Sequence, residues 1–161
     1  MAGTTANLAS GDLTIFADGS YTFVPALDFN GAVPVATYTV SDGNGGTDTG
    51  TLTIAVTPVY DAPVADDETG TTDEDTTLSV NAAAGLLVGD TDIDGGALSV
   101  TQFVVGGTTY AAGVTANLAS GDLTINGDAS YTFVPASNFN GAVPVATYAV
   151  SDGNGGTDTG T

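Results

Sequence analysis

The sequence predicts an all-β fold in which antiparallel β-sandwich domains follow one another in tandem. No segment sustains helical periodicity, whereas many short segments alternate apolar and polar residues and are bounded by Gly, Asn or Asp. Residues 2–51 match residues 112–161 at an offset of 110 residues, with seven differences in fifty positions. A period of this length suits one domain and is too long for one turn of a solenoid.

Alternating apolar residues mark the predicted strands in both copies of the repeat. Turns are predicted at Asp18-Gly19 and at Gly106-Gly107, and Asn81–Val88 is expected to form one short helical turn. About seven short strands in roughly 100 residues are typical of an immunoglobulin-like antiparallel sandwich. The predicted inward-facing residues are Leu13, Ile15, Tyr21, Phe23, Ala36, Tyr38, Val40, Leu52, Ile54, Val56, Leu78, Val80, Leu123, Ile125, Tyr131, Phe133, Tyr148 and Val150.

The repeat divides the chain into three predicted parts. Residues 1–60 form the C-terminal part of one immunoglobulin-like repeat, with strands roughly D to G of that fold. Residues 61–75 form an acidic calcium-binding linker, and residues 76–161 form a second repeat that lacks its final strand. Because both ends are out of register with the array, we expect a fragment of a longer polymer, or completion by strand exchange between chains at an open sheet edge.

Strands that run alternately up and down also predict the positions of two acidic loops. The loop Ser151–Asp158 is expected to face the linker, over residues 57–75. The loop Gly89–Gly96 is expected at the opposite end of the domain, beside the next junction.

The composition excludes several classes of function. The 161 residues include 19 Asp and Glu but no Lys, Arg, His or Cys, which gives a formal net charge of −19. Without imidazole, amine or thiolate groups, catalysis is not expected, and zinc and transition metals lack their usual ligands. Nucleic acid and anionic membranes are excluded as direct partners because such binding needs Lys or Arg. Calcium, which prefers carboxylate, amide and main-chain oxygens, is the expected cofactor, with several ions mainly at domain junctions.

The candidate calcium ligands fall into three acidic groups. The loop Gly89–Gly96 carries Asp at alternate positions, so three carboxylates can surround one ion, although no Glu follows at the twelfth position as in an EF-hand. The linker carries the second group, and the glycine-rich run Ser41–Asp48, repeated as Ser151–Asp158, carries the third. The complete set is Asp90, Asp92, Asp94; Asp61, Asp66, Asp67, Asp73, Glu74, Asp75; and Asp42, Asn44, Asp48, Asp152, Asn154, Asp158.

Each acidic group also has an interpretation without a metal. The loop at residues 89–96 can be a solvated acidic turn, and the linker can be a flexible acidic segment. The glycine-rich run can be a plain hairpin turn, since its glycines permit positive φ angles. High acidity can also serve solubility alone, as in halophilic proteins.

Several segments together carry a family likeness: Gly11–Ile15, Asp18–Pro25, Phe29–Gly31, Tyr38–Gly46 and Val59–Pro63. They resemble the cadherin-like, immunoglobulin-like tandem repeats in the extender regions of giant bacterial RTX-type adhesins. Many of these adhesins are secreted by type I systems. The resemblance covers essentially the whole chain.

The resemblance implies a non-enzymatic, calcium-stiffened extender at the bacterial cell surface, which holds distal ligand-binding domains away from the cell. Asp73–Asp75 and the Asp residues of loop 89–96 are similar to family positions, whereas Tyr60 stands where these repeats usually have Asn. The expected partners are neighbouring identical repeats of the same polypeptide. Two other functions stay open: an adhesive module that binds sugar or another cell, and a fibre subunit assembled by strand exchange between chains.

Overall fold

The computed structural model describes residues 3–161 and shows two compact units, Met1–Val59 and Tyr60–Thr161. All strand pairs in both units are antiparallel across the described residues, so the predicted all-β antiparallel fold is confirmed. Within residues 3–161, no helix is long and apolar enough to cross a membrane.

The first unit is built from short strands in three small sheets. Strands β1, β2 and β3 form a meander, β4 pairs with β7, and β5 pairs with β6. The bounds are β1 Thr4–Leu8, β2 Gly11–Ile15, β3 Tyr21–Pro25, β4 Gly31–Ala32, β5 Ala36–Ser41, β6 Thr47–Leu52 and β7 Ala55–Val56.

The second unit is a sandwich of two four-stranded sheets. The bounds are β8 Leu78–Val80, a 3-10 helix Ala82–Ala84, β9 Ser99–Val105, β10 Thr108–Ala111, β11 Thr115–Leu118, β12 Gly121–Ile125, β13 Tyr131–Pro135, β14 Ala146–Ser151 and β15 Thr157–Gly160. The sheet orders are β10-β9-β14-β15 and β11-β12-β13-β8. Strands distant in sequence, such as β9 and β14, are therefore neighbours, as in immunoglobulin-like sandwiches.

The core of the second unit lies between its two sheets. Phe103 of β9 and Tyr148 and Val150 of β14 are fully buried, and they cluster with Ile125 of β12 and Phe133 of β13. Burial of these side chains removes apolar surface from water, which is the main stabilising term of such a fold. The period-two pattern had predicted four of these five residues; Phe103 was missing from the predicted set.

Identical sequence gives identical local pairing in the two copies. Strands β2 and β3 pair Gly11 with Pro25, and strands β12 and β13 pair Gly121 with Pro135. Both glycines have strongly positive φ angles, 132° and 138°, and a Cβ at either would overlap a main-chain oxygen of the neighbouring strand. Only glycine fits there, because it has no Cβ.

Residues 61–68 belong to the second unit and run along its edge. Val64 forms an antiparallel bridge with Thr91, and the Glu68 N–H donates to the main-chain oxygen of Thr161 at 2.9 Å. This segment adds one extended pass before β8, and the unpredicted strand β11 adds another pass between the two acidic loops. The expected position of the loop Gly89–Gly96, at the far end from Ser151–Asp158, is therefore wrong: both loops lie beside residues 61–66.

Two of the remaining local predictions are confirmed, and two strands were not predicted. The turn at Gly106-Gly107 joins β9 to β10, and the 3-10 helix Ala82–Ala84 lies within the predicted helical turn, so both are confirmed. Strands β1 and β11 were not predicted. Their sequences, Thr4–Leu8 and Thr115–Leu118, place only small or polar residues before the final Leu, so the apolar alternation is weak.

Candidate metal centre

Acidic side chains of two loops accept hydrogen bonds from the main chain of residues 61–68. The contacts have donor–acceptor distances between 2.7 and 3.0 Å, and they join segments up to 93 residues apart in sequence. The pairs are Asp61 N–H to Asp94 Oδ2, Ala65 N–H to Asp158 Oδ2, and Asp66 N–H to Asp90 Oδ1. The two loops are thus held against the beginning of the second unit.

The extended segment sends its acidic side chains alternately to two sides. Successive side chains of an extended chain point in opposite directions, so Asp66 and Glu68 share one side and Asp67 takes the other. Asp67 Oδ1 accepts hydrogen bonds from the Thr161 N–H at 2.9 Å and the Thr161 hydroxyl at 2.8 Å. Asp67 therefore joins the segment to the end of β15 and lies apart from the other two carboxylates.

Asp66, Glu68 and Asp90 form the candidate metal centre. One carboxylate oxygen from each lies within 4.8 Å of the other two. The chain has no Lys, Arg or His that could neutralise them. Glu68 Oε1, Asp90 Oδ2 and the nearby Asp92 Oδ2 are buried without a hydrogen-bond partner in the described part of the chain.

The centre fits an oxygen-preferring divalent cation. Buried polar atoms are almost always paired, and buried carboxylates without a partner are costly. Like charges this close also repel one another unless a cation or a proton intervenes. The donor set is carboxylate oxygen alone, which suits calcium and not the softer metals that need imidazole or thiolate.

The electrostatics of the centre favour uptake of positive charge. Burial is the main cause that raises the pKa of Glu68 to about 7; a hydrogen bond from Tyr148 opposes this shift, and Asp66 and Asp90 add to it. Burial likewise raises the pKa of Asp90, and the charges of Asp66 and Asp158 contribute. In contrast, the Ala65 N–H lowers the pKa of Asp158, so that carboxylate stays ionised.

Tyr148 lies beneath the centre and connects it to the core. Its hydroxyl lies 2.5 Å from Glu68 Oε2, 2.8 Å from the Leu86 main-chain oxygen and 3.1 Å from the Asp66 main-chain oxygen. A hydroxyl carries one proton, so these three acceptors compete for a single donor. Burial and the neighbouring carboxylates raise the pKa of Tyr148, which keeps the hydroxyl protonated.

Comparison with known families agrees with this architecture. Residues 60–161 match the family model of the bacterial cadherin-like domain. The chain belongs to this family. Residues 2–55 match the model of the bacterial Ig domain. A comparison with curated proteins finds no match.

Three general properties of these domain families bear on the site. Cadherin-like domains commonly bind calcium, and acidic residues cluster in this one. Bacterial cadherin-like and Ig domains usually occur as repeats of surface or extracellular proteins. Such domains are typically structural and non-enzymatic.

In the cadherin-like unit, Asp152 organises the glycine-rich loop. Its Oδ1 accepts three main-chain N–H groups, from Asn154 at 2.8 Å, Gly155 at 3.1 Å and Gly156 at 3.0 Å. A Cβ on Gly156 would lie 2.8 Å from the Cα of Ala62, so glycine permits the loop to approach the segment. One oxygen of Asp152 is thus occupied in forming the turn.

The equivalent loop of the first unit has two of these three internal bonds. Asp42 Oδ1 accepts the N–H groups of Asn44 at 2.8 Å and Gly46 at 2.9 Å. Asp48 Oδ1 accepts only the N–H of the adjacent Thr49. Asp42 and Asn44 lie in the turn between β5 and β6, and Asp48 lies in β6. Among the described residues of the first unit, no group of three acidic side chains meets the spacing of a metal centre, and the role of these three residues as ligands stays a prediction.

Asp73, Glu74 and Asp75 lie at the other end of the cadherin-like unit, beside the turn after β13. Asp75 Oδ1 accepts the Asn138 N–H at 2.8 Å, and Glu74 Oε2 accepts from the Asn140 side chain at 3.4 Å. The Asp73 main-chain oxygen accepts the Thr76 N–H at 3.2 Å. These three residues are therefore not part of the centre formed by Asp66, Glu68 and Asp90.

Of the predicted ligands, the structure brings Asp66 and Asp90 together directly, and the charge of Asp158 acts on Asp90. Asp94 accepts the Asp61 N–H, and Asp92 lies in the same loop as Asp90 and Asp94. Asn154 approaches the same region, because its side-chain amide lies near Gly96. Glu68 is the residue that the predicted ligand set missed. The alternation rule could have found it, since Glu68 lies two positions after Asp66 on an extended segment.

Proposed function

We propose that the chain is a calcium-stiffened extender segment of a long bacterial surface adhesin of the RTX type, one that projects distal ligand-binding domains from the cell. The observation that supports it is the centre of Asp66, Glu68 and Asp90, which gathers carboxylates from two segments without any internal positive charge. Family membership adds the general context of repeated domains in surface proteins.

In this proposal calcium is held by Asp66, Glu68 and Asp90, with Asp158 close enough to contribute to the local field. Calcium takes six to eight oxygen ligands in a flexible geometry, so main-chain oxygens and water would complete its shell. When bound, the ion offsets two of the three negative charges and links residues 61–68 to the loop that contains Asp90. The beginning of the cadherin-like unit then becomes part of a rigid body.

The mechanical consequence follows from where this segment lies in the chain. Residues 61–68 are the first extended segment after the boundary at Val59 and Tyr60. Without the ion, repulsion among the carboxylates favours release and extension of this segment, which would then act as a flexible acidic linker. With the ion, the number of freely rotating residues between successive repeats falls, and an array of repeats becomes stiffer.

A calcium titration tests the proposal. Isothermal calorimetry on chelator-treated protein should show heat on adding calcium, weaker heat on adding magnesium, and none on adding sodium at matched ionic strength. The melting temperature should rise with calcium, because a ligand that binds only the folded state stabilises it. Small-angle scattering of a tandem array should show a greater maximum dimension. No heat and no change in melting temperature would contradict the proposal.

Two variants locate the site. Asp90→Asn and Glu68→Gln each remove one carboxylate from the centre and should weaken calcium binding by about tenfold or more, since calcium affinity depends on the number of charged ligands. The matched control is Asp122→Asn, which removes one charge from an exposed position of β12. If Asp122→Asn weakened binding as much as Asp90→Asn, the effect would come from net charge and not from a site.

A further inference from the structure

The cadherin-like unit has a polar cavity of about 440 Å³, which we call the turn cavity. One wall is residues 79–82, where β8 leads into the 3-10 helix, and the other comes from the turn between β12 and β13 and the start of β13. Most of the side chains that line it carry an amide, hydroxyl or carboxylate group. Its volume is within the roughly 300–1,000 Å³ of small-molecule sites, which combine a concave shape with a few placed polar groups.

Two main-chain hydrogen bonds hold the turn between β12 and β13 against other segments of the unit. The Gly127 main-chain oxygen accepts the Val100 N–H at 3.0 Å, and the Ala129 main-chain oxygen accepts the Leu86 N–H at 3.1 Å. Ala129 is fully buried. This wall of the turn cavity is therefore preorganised, which lowers the conformational entropy that is lost when a ligand binds.

Ala129 has a main-chain conformation that alanine rarely adopts. Its φ angle is 69°, in the left-handed region, where its counterpart Gly19 has a φ angle of 87°. A Cβ atom makes this region unfavourable, so the second copy retains strain at a position where the first copy has glycine. Such strain is concentrated at functional sites, where the surrounding structure fixes the conformation.

A chain of hydrogen bonds fixes the polar groups of the turn. Asp128 Oδ1 accepts the Ser130 hydroxyl at 2.6 Å and the Ser130 N–H at 3.1 Å, and both bonds lower the pKa of Asp128, so that carboxylate is ionised. The Asn126 amide donates one N–H to Ser130 Oγ at 3.0 Å. On the opposite wall, the Asn81 side chain makes no hydrogen bond to cap the 3-10 helix. The Asn81 amide, Asp128 Oδ2 and the other N–H and oxygen of Asn126 can therefore bond to a ligand.

The differences between the two copies are concentrated at this turn. Three of the seven fall within four consecutive positions, residues 16–19 and 126–129. The turn itself is retained, because Asp18 accepts the Ser20 hydroxyl and N–H as Asp128 accepts those of Ser130. At the cavity wall, however, Asn126 stands where the first copy has Phe16. The second copy thus has an amide in place of an apolar ring, and can make polar contacts from this position.

We propose that the turn cavity binds a hexose unit of a neutral glycan. Each sugar hydroxyl both donates and accepts hydrogen bonds, which matches the mixture of amide, hydroxyl and carboxylate groups in the cavity. The ring of Tyr131 adds apolar surface, against which the C–H face of a sugar can pack. An acidic glycan is unfavourable, because the chain has no positive side chain and a net charge of −19.

A titration followed by nuclear magnetic resonance tests the site. The full chain, isotope-labelled on nitrogen, is titrated separately with neutral trisaccharides of glucose, mannose, galactose and N-acetylglucosamine, and with trigalacturonate as the acidic control. At least one neutral trisaccharide should cause saturable shifts in the amide signals of residues 79–82 and 126–132, and trigalacturonate should not. Equal shifts with trigalacturonate, saturable shifts confined to other residues, or no saturable shift with any neutral trisaccharide would overturn the proposal.

The same titration separates glycan binding from calcium binding. No residue that lines the turn cavity belongs to the centre of Asp66, Glu68 and Asp90. The shifts should therefore be the same with calcium and with chelator, and they should persist even if calcium does not stiffen the chain. Shifts that vanish with chelator would overturn a site that is independent of the metal centre.

Variants on both walls locate the ligand. Asn126→Phe introduces the residue of the first copy, and Asn81→Ala removes an exposed amide that does not cap the 3-10 helix. Each should weaken binding by about fivefold or more, because each removes hydrogen bonds to the sugar. The matched control Ala149→Thr also introduces the residue of the first copy, but away from the cavity lining, and should bind like the wild type.

The amide spectrum of each variant shows whether it is folded. Wild-type affinity in either folded wall variant, or equal weakening in Ala149→Thr, would overturn the turn cavity as the site. If Asn126→Phe does not fold, Asn81→Ala decides the question alone, because its side chain is exposed.

Discussion

The two copies of the repeat have nearly the same sequence, yet the same residues are buried in one and exposed in the other. Val150 is 0% exposed, whereas its counterpart Val40 is 51% exposed; Tyr148 is 1% exposed, whereas Tyr38 is 39% exposed. The difference comes from residues 60–111, which have no counterpart before the first copy in this sequence. Only the cadherin-like unit has β9 beside β14 and β8 beside β13.

This comparison separates local from tertiary effects. The meander β1-β2-β3 and its counterpart β11-β12-β13 have matching registers in the two copies, so their pairing depends on local sequence. Burial of the strand that contains Val40 or Val150 depends instead on a second layer. The acidic loops follow the same division, because Asp42 and Asp152 each organise a local turn, whereas the approach of the second loop to residues 61–66 is a tertiary contact within the cadherin-like unit.

The largest effect on the free energy of unfolding should come from placing a charge at Val150, the buried member of the equivalent pair Val40 and Val150. Val150→Asp places a carboxylate in a fully buried position and should lower the free energy of unfolding by about 4 kcal/mol or more. Val40→Asp makes the same change at a half-exposed position and should cost less than about 1 kcal/mol. Urea denaturation followed by circular dichroism compares them. Similar losses in both variants would show that the first unit has a buried core at Val40.

A smaller effect on stability is expected at Gly160 and Gly50. These glycines lie opposite the equivalent tyrosines of the two copies. A Cβ at Gly160 would overlap the Asp66 main-chain oxygen and the Tyr148 hydroxyl, neither of which can move freely. A Cβ at Gly50 would lie 2.6 Å from Tyr38 Cζ, but that side chain is exposed and can rotate away. Gly160→Ala should therefore cost about 1–3 kcal/mol and Gly50→Ala much less, as thermal unfolding would measure. A reversed order would contradict the assigned contacts.

The smallest effect is a pH dependence of the free energy of unfolding, which only the cadherin-like unit should show. Without calcium, the pKa of Glu68 is raised from its ordinary 4.5 to about 7, so between these values the folded protein binds more protons than the unfolded one. The free energy of unfolding should fall as pH rises through this window, and the fall should be modest because solvent screens the site.

Glu68→Gln should remove the fall in the free energy of unfolding with rising pH. Calcium should reverse that fall, because the ion binds the ionised carboxylate and its affinity rises as Glu68 loses its proton. Hydrogen exchange with chelator present, at about pH 5 and about pH 8, would follow the two units separately. The first unit has no counterpart of Glu68 and serves as the internal control. The same fall in both units, or its persistence in Glu68→Gln, would contradict the assignment to Glu68.

Sequence patterns predicted the fold class and most strands because apolar alternation is a local property. The residues of β2, β5, β12 and β14 alternate plainly, and the structure confirms these strands. The orientation of loop 89–96 could not be obtained in the same way. It depends on the extended segment at residues 61–68, which contains little apolar alternation and is held mainly by hydrogen bonds to distant loops.

The candidate site was only partly accessible to sequence reasoning. Acidic residues within one linker were expected to act together, but an extended chain advances about 3.3 Å per residue, so Asp66 and Asp75 can lie roughly 30 Å apart. Glu68 directly follows Asp66 and Asp67 in the sequence, but the predicted ligand set did not include it. Its distinguishing features, burial and the contact with Tyr148, exist only in the folded unit.

The matching registers of the two meanders have a consequence for synthesis of a long repetitive protein. β2 of one repeat presents the same residues to β13 of the next repeat as to its own neighbour β3, so wrong pairings are chemically equivalent to correct ones. What separates them is distance along the chain: closing a loop of more than 100 residues costs about 2–3 kcal/mol more entropy than closing a short hairpin. Fast closure of local hairpins thus limits wrong strand pairing between near-identical neighbouring repeats during translation.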